Sequence, residues 1–364
     1  MRSLIFAFAA CCALGCGRDA DPVWLGAAGP WGQSYGQMNK RGVDLAVEEI
    51  NRRGGIKGRP LRIVSRDDEG SPVLAATIAT EFIDRPEIAA VVGHVTSGAM
   101  LMAARVYDRG LPAVATTVSS PDLSGISPFV FRVISSDSVN GIDLARFARR
   151  QGFRRVAVLY ENTAYGRGLS EAFTRAYGAP LVSSDPIPSD GEANFEPYVA
   201  YLLSRHPDLV FVAGTEQSGR AVLREARQRS LRTTFLGGDG WTGVAGDTAA
   251  AEGVYVGAPF SPRDGRTEAQ QFVRAFRERY RVDPDGNAAL AYDATMLLAR
   301  AIENAGTGRE AIRNYLASLG PESAFAGASG PVSFLPSGDV AGKGILLTRV
   351  RAGALTPVAA DGQS

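Results

Sequence analysis

The sequence predicts an α/β fold of two Rossmann-like lobes with parallel-sheet cores, and three observations carry that prediction. Short apolar runs alternate with amphipathic segments along most of the chain, which is the pattern of parallel strands joined by crossover helices. The alternation comes as two series of comparable size, one before and one after Ile134. The length of 364 residues suits two ordinary domains, and 45% apolar with 21% charged residues is a globular composition.

In the first series Val23 to Ala28 reads as a buried strand. Val43, Ala46, Val47 and Ile50 fall at helical spacing within Gln37 to Arg53, and Gly54 and Gly55 then stop the helix. Leu61 to Asp67, a helix over Pro72 to Asp84, the run IAAVVG, a helix over Ala99 to Arg109, and LPAVAT continue the alternation. In the second series Asn140 to Gln151 reads as a helix and RRVAVLY as a strand. Leu169, Phe173, Ala176 and Tyr177 make a helical stripe within Gly166 to Tyr177. Asp208 to Gly214, a helix over Gln217 to Arg229, and TTFLGGDG follow, with later helices marked by Phe272, Val273, Phe276 and Tyr280 and by Leu290, Ala294, Leu297, Leu298 and Ala301. Ligands of such sheets bind beyond the carboxyl ends of the strands, so the strand-to-helix turns hold the candidate chemistry.

Composition excludes several functions. The formal charge is +1, with 39 basic and 38 acidic residues interspersed, so there is no basic stripe for nucleic acid and no polybasic run for a membrane surface. The basic residues are nearly all arginine, the lysines being Lys40, Lys57 and Lys343. All three cysteines, Cys11, Cys12 and Cys16, lie in the first sixteen residues. That start has Arg2 followed by an apolar stretch from Leu4 to Leu14, too short to span a bilayer and typical of a secretory signal. Ala13 and Gly15 before Cys16 resemble a bacterial lipobox, which would make residues 1–15 a signal peptide and Cys16 the acylated first residue. A lipobox usually has leucine where Ala13 stands, and the alternative is an ordinary small-residue cleavage site. Two separated histidines, His94 and His206, and no cysteine after Cys16 leave little for a transition metal, and no cofactor is expected.

The stretch GHVTSG, Gly93 to Gly98, stands at a strand-to-helix junction and admits three readings: a phosphate cradle, a catalytic serine with its histidine, or a seat for another anion. A helix N-terminus at Ser97 offers unpaired N–H groups and partial positive charge, Gly98 allows close backbone approach, and the Ser97 hydroxyl can donate or cap. GQSYG, Gly32 to Gly36, is a literal G-x-S-x-G around Ser34. However, Gly29, Pro30, Trp31 and Gly32 intervene between the strand end and the serine, which is the wrong geometry for a nucleophile elbow. YGRGLSEAF lacks the third glycine of a dinucleotide motif, and AGKG lacks P-loop spacing.

Taken together, LGAAGPWGQSYGQMNKRGVDLAVEEINRRGGIKGRPLRIVSRDDEGSP, AAVVGHVTSGAM, SSPDL, FRVISSDSVNG, VAVLYENTAYGRGLSEAF and FLGGDG resemble the leucine/isoleucine/valine-binding proteins, the type I periplasmic binding proteins of ABC transporters. The likeness runs over almost the whole chain after the signal. It implies two lobes joined by a three-crossover hinge, an N-lobe of 22–137 plus 260–334 and a C-lobe of 138–259 plus 335–360. It also implies an amino acid or related small amphoteric ligand captured between the lobes, an ABC permease as partner, export to the periplasm or cell envelope, a membrane link through the lipid anchor alone, and a monomer without enzymatic activity. A ligand sensor of the same fold, signalling to a membrane partner, is the second reading.

By this resemblance Ser97, with Gly98, holds the ligand carboxylate. Thr117 supplies main-chain contacts and Ser119 its hydroxyl, within a turn that also carries Thr116 and Ser120. Asp239 pairs with the α-ammonium, and Tyr165 covers the ligand on closure. Tyr35 and Trp31 are candidates for the side-chain pocket. Thr215 and Glu216 stand where aliphatic binders often have an aromatic residue, so Glu216 could accept from a polar ligand. Some members join the loop after the second strand to the turn after the third by a disulfide; here those places hold Gly70 and Thr96.

Overall fold

Strand β1 (Val23–Gly29) buries every residue fully except Trp24. A strand hidden on both faces needs helices above and below it, and the chain supplies them. In the computed structural model, which describes residues 21–358, β1 is followed by α1 (Ser34–Arg52), β2 (Leu61–Asp67), α2 (Pro72–Ile83), β3 (Ile88–Gly93), α3 (Ser97–Tyr107), β4 (Ala113–Ala115) and β5 (Val130–Arg132). The five strands form a parallel sheet in the order β2-β1-β3-β4-β5. The signal segment and Cys16 lie outside the described residues.

The second series runs α4 (Asp137–Arg150), β6 (Val156–Glu161), α5 (Ala164–Tyr177), β7 (Ser183–Ile187), α6 (Glu196–Arg205), β8 (Leu209–Ala213), α7 (Glu216–Gln228), β9 (Thr234–Gly237), a short α8 (Thr248–Ala251) and β10 (Tyr255–Ala258). Three helices, α9 (Thr267–Tyr280), α10 (Gly286–Ala305) and α11 (Arg309–Ala317), and the hairpin β11 (Phe325–Gly327) and β12 (Gly330–Val332) then return to the first lobe. The last hairpin, β13 (Leu346–Arg351) and β14 (Ala354–Pro357), pairs antiparallel with β10 and completes a seven-stranded sheet, β14-β13-β10-β9-β8-β6-β7.

Each sheet is sandwiched. In the first lobe Leu25, Leu61, Val92, Leu290 and Leu297 pack on one face, while Phe82, Val91, Met100 and Tyr107 pack on the other. Helices α1 and α10 approach so closely that a Cβ on Gly42 would lie 2.2 Å from the Ala288 carbonyl oxygen. In the second lobe Phe173 and Phe211 stack at 4.1 Å under one face, and Trp241, Val222 and Phe235 fill the other. Fully burying each such side chain contributes roughly 1.5–3 kcal/mol.

The strand order reverses between β1 and β3 in one sheet and between β6 and β8 in the other. At such switch points the turns diverge and leave a crevice. The chain passes between the sheets three times, after β5, after β10 and after β12, and the first and third passages are laced together. Buried Arg132 pairs with Asp339 at 2.5 Å, its N–H donates to the Gly338 carbonyl, and Lys343 donates to the Val133 carbonyl at 3.0 Å. No helix among the described residues is long and apolar enough to cross a membrane.

Helix α1 begins at Ser34, earlier than the Gln37 expected from its apolar spacing, because its first turn is polar and carries no stripe to read. Strand β7, with a proline and alternating exposure, and the hairpin of β13 and β14 gave no periodic signal of their own.

Candidate ligand-binding cleft

The turns at both switch points face one another across a cavity of about 760 Å³. From the first lobe come Gln33, Tyr35, Ser97, Gly98, Thr117 and Asn287. From the second come Glu161, Tyr165, Thr215, Glu216, Asp239 and Thr242. Eight of the ten ligand residues expected from the sequence line this space: Tyr35, Ser97, Gly98, Thr117, Tyr165, Thr215, Glu216 and Asp239. Trp31 and Ser119 do not.

Helix α3 builds the first-lobe end. Its N-cap, Thr96, makes no side-chain cap, and Met100 is the first residue to donate back into the turn, so the N–H groups of Ser97, Gly98 and Ala99 have no intrahelical acceptor. The Ser97 oxygen accepts from Ser120 N–H at 3.4 Å, which leaves its own proton to donate. Thr117 donates its hydroxyl to Val95 O at 2.8 Å, which fixes that turn beside the helix start. This assembly of donors at a dipole's positive end suits a carboxylate.

Asp239 builds the opposite end. It follows β9 within GGDGW, and each flanking glycine has a steric reason. A Cβ on Gly237 would fall 2.2 Å from the Trp241 ring, while Cβ atoms on Gly238 and Gly240 would each come 3.0 Å from the Tyr165 hydroxyl oxygen. That hydroxyl donates to Asp239 Oδ1 at 3.0 Å and accepts from Gly240 N–H at 3.0 Å. Burial raises the Asp239 carboxyl to about 6, against the lowering effect of the Tyr165 bond. Its neighbour Asp137, at the start of α4, is fully buried and is pushed well above the usual carboxylate range, first by burial and then by Asp239. Asp137, buried and eased by Arg132, and its neighbour Asp239, part-exposed at the cavity, make a place where an ammonium is favoured.

Ser119 is turned away. Fully buried, it donates to Asp137 Oδ2 at 3.0 Å, and Asp137 N–H donates back to the Ser119 carbonyl at 2.8 Å, so its hydroxyl positions the neighbouring acid. Trp31 packs its ring over Gly29, where a Cβ would lie 2.6 Å from a ring carbon, and belongs to the first-lobe core. Ser120 accepts from Asp122 N–H, the turn chemistry expected of it before Pro121.

The lobes touch on both sides of the cavity. Ser34 donates to Glu216 and Gln217 donates to Gln33, joining the start of α1 to the start of α7. On the other side Gly168 of α5 faces Pro121, where a Cβ would lie 2.7 Å from the ring. Neither histidine is placed to act as a base for Ser34: His94 is buried with Nδ1 at 2.6 Å from Asp68 and Nε2 at 3.1 Å from Tyr107, and His206 caps the far end of α6. Gly70 and Thr96 do lie side by side, a Cβ on Gly70 falling 3.9 Å from Thr96 Cγ2. Among the described residues no cluster of histidine, cysteine and acidic side chains could hold a metal.

The sequence reading missed Glu161. It ends β6 at the carboxyl edge, is 1% exposed, and accepts from Thr215 N–H, Thr215 Oγ1 and Ser218 Oγ at 2.8, 2.7 and 2.7 Å. Its place before Asn162 at a strand end was the available signal.

A sequence profile described as "Periplasmic binding protein" matches residues 24–354. The chain belongs to the periplasmic binding protein family. This periplasmic binding protein is 28% identical over 337 residues to the leucine-, isoleucine-, valine-, threonine- and alanine-binding protein of Pseudomonas aeruginosa, covering 88% of each chain. Among solved structures, an ABC transporter substrate-binding protein from Desulfitobacterium hafniense in complex with leucine matches with a TM-score of 0.80 and 31% identity, over 93% of this chain and 100% of that one. A leucine-binding protein from Thermotoga maritima matches with a TM-score of 0.85 and 28% identity, over 93% and 98% of the two chains. These likenesses bear out the two-lobed fold and the family read from the turn motifs.

Proposed function

We propose that this protein is the exported substrate-binding component of an ABC transporter and that it captures a free amino acid between its lobes. The observation that carries the reading is the pairing of opposites across one cavity: unpaired N–H groups and the Ser97 hydroxyl at one end, the Asp239 carboxylate held by Tyr165 at the other. A zwitterion satisfies both ends at once, and the similarity to proteins whose names and complexes specify leucine, isoleucine and valine supports that ligand type.

Closure follows from differential binding. Ser97, Gly98 and Thr117 sit on one lobe, Tyr165 and Asp239 on the other, so a ligand engages both sets only when the lobes come together. The Ser34 and Glu216 contact and the Gln33 and Gln217 contact would then form at the cleft edge and help hold the closed state. Sheet membership supports dividing the chain into 22–137 with 260–334 and 138–259 with 335–360, with the closed form the one that docks on the permease as a monomer.

Residues 1–15 would direct export, and acylated Cys16 would tether the protein to the membrane. Mass spectrometry of the membrane fraction tests this: a diacylated Cys16 is expected, and a soluble chain with a free N-terminus contradicts it. A thermal-shift screen against the amino acids, followed by calorimetry of the hits, tests the ligand. Binding of at least one amino acid with a raised Tm is expected.

A further inference from the structure

Three fully buried polar side chains meet behind the turn that carries Ser97. Asp68, His94 and Tyr107 are each 0% exposed, and none of them lines the cavity. His94 Nδ1 stands 2.6 Å from Asp68 Oδ2, and its Nε2 stands 3.1 Å from the Tyr107 hydroxyl. As a carboxylate Asp68 only accepts, so Nδ1 carries the ring proton at that bond. Burial and then Asp68 raise the Tyr107 phenol well above its ordinary range, so it keeps its proton. The other carboxylate oxygen, Asp68 Oδ1, accepts from Gly70 N–H at 2.8 Å.

These bonds join two turns and a helix. Asp68 follows β2; its backbone N–H donates to Gly29 O at the end of β1, and its carbonyl accepts from Ser71 N–H. His94 follows β3, and its backbone N–H donates to Met100 Sδ of α3 at 3.3 Å. Tyr107 closes α3. On the cavity side the same two turns touch, since a Cβ on Gly98 would lie 3.5 Å from Pro72 and one on Gly70 3.9 Å from Thr96. Between β3 and α3, residues His94, Val95 and Thr96 belong to no helix or strand, and Thr96 supplies no side-chain cap. The buried His94 ring is therefore what ties this irregular segment to its surroundings, and removing it would leave Asp68 buried without that partner.

We propose that His94, held between Asp68 and Tyr107, is the positioning residue of the carboxylate seat, fixing Ser97 and the first N–H groups of α3 in place before a ligand arrives. This rests on the reading that those groups hold the α-carboxylate. Donors already in position bind more tightly because no ordering cost remains to be met on binding. The role differs from simple support of the fold. A general loss of stability lowers the competent fraction and weakens every ligand by one factor, whereas a displaced seat weakens only the ligands that use it. An amino acid and its α-carboxamide share the ammonium and the side chain and differ at that seat, so the ratio of their affinities reads the seat.

The test is calorimetry of the purified protein with the standard L-amino acids, each one that binds being titrated again as its α-carboxamide, on wild type, His94→Leu, Asp68→Asn and Tyr107→Phe. Wild type should prefer the acid over the amide about a hundredfold, through the helix dipole and charge-assisted bonds. His94→Leu should cut that preference about tenfold while circular dichroism reports a native fold, and Asp68→Asn, which keeps an acceptor, should cut it less. Tyr107→Phe removes one hydroxyl and keeps the ring, so it carries the test where His94→Leu does not fold, with a preference about threefold smaller than wild type. A lowered Tm with the preference unchanged in every folded variant overturns the proposal and leaves the reading of the seat intact. A wild type that binds acid and amide alike, or binds no amino acid, overturns the reading of the seat and the proposal with it.

Discussion

The hydroxyl of Tyr165 bridges Asp239 Oδ1 and the Gly240 N–H, at 3.0 Å from each, so the acid that faces the cavity is oriented by an aromatic side chain that lines the same cavity. The arrangement needs no induced rotation of Asp239 to meet an ammonium, because the bond and the glycine-bounded turn already fix it.

Replacing Asp239 by alanine removes a charge-assisted hydrogen bond, which contributes roughly 1.5–3 kcal/mol, or about ten- to a hundredfold in affinity. Calorimetry should show that loss for every amino acid that binds. Tyr165→Phe should cost less, since it leaves the carboxylate present and only frees its orientation.

Affinity should also depend on pH. Asp239 is raised to about 6 by burial, and an ammonium pairs with its ionised form, so affinity is full well above pH 6 and falls below it. One unit below that value the ionised fraction is roughly a tenth, which predicts about a tenfold weaker Kd at pH 5 than at pH 7.5. The ligand-free protein should respond with the opposite sign. A carboxyl whose folded value lies above its unfolded value adds stability fully at low pH and loses it as pH rises through about 6, and buried Asp137 acts in the same direction. Asp239→Asn should flatten both responses.

Ser34→Ala removes the hydroxyl that reaches Glu216 from the other lobe. A hydrogen bond of this kind contributes about 0.5–1.5 kcal/mol net, so affinity should fall roughly two- to tenfold as the closed state loses population. Small-angle scattering of the liganded variant should show a larger mean radius than wild type. Unchanged affinity and radius would remove this contact from the closing mechanism.

Lys343 is one of three lysines in a chain otherwise served by arginine, and it is bonded within the crossovers. It donates to Val133 O at 3.0 Å in the first passage and to Ser329 Oγ at 2.8 Å, and Ser329 in turn donates to buried Asp293 at 2.5 Å. Burial lowers Lys343 to about 8 despite Asp293 nearby. Hydrogen bonds from a charged group contribute about 1.5–3 kcal/mol each, so Lys343→Met should lower Tm by several degrees. Because the folded value lies below the unfolded one, wild-type stability should rise between about pH 8 and 10, and the variant should lose that rise.

Much of this fold was legible because its core strands are continuous apolar runs and its helices carry clear stripes. The turns singled out by the family resemblance do converge in space, since Ser97, Thr117, Tyr165 and Asp239 line one cavity although up to 142 positions separate them in the chain, from 97 to 239. What could not be read was orientation within a turn. Nothing in SSPDL says that Ser119 points back to Asp137, or that Trp31 folds over Gly29. Glu161 escaped notice for a related reason: its partners, Thr215 and Ser218, are 54 and 57 residues away and belong to another strand's turn.

A crystal structure with the tightest-binding amino acid tests the central claim most directly. The account predicts the α-carboxylate against the Ser97 hydroxyl and the first N–H groups of α3, with the α-ammonium within hydrogen-bond distance of Asp239. An amino acid bound in the reverse sense, or outside the interlobe cavity, would contradict it.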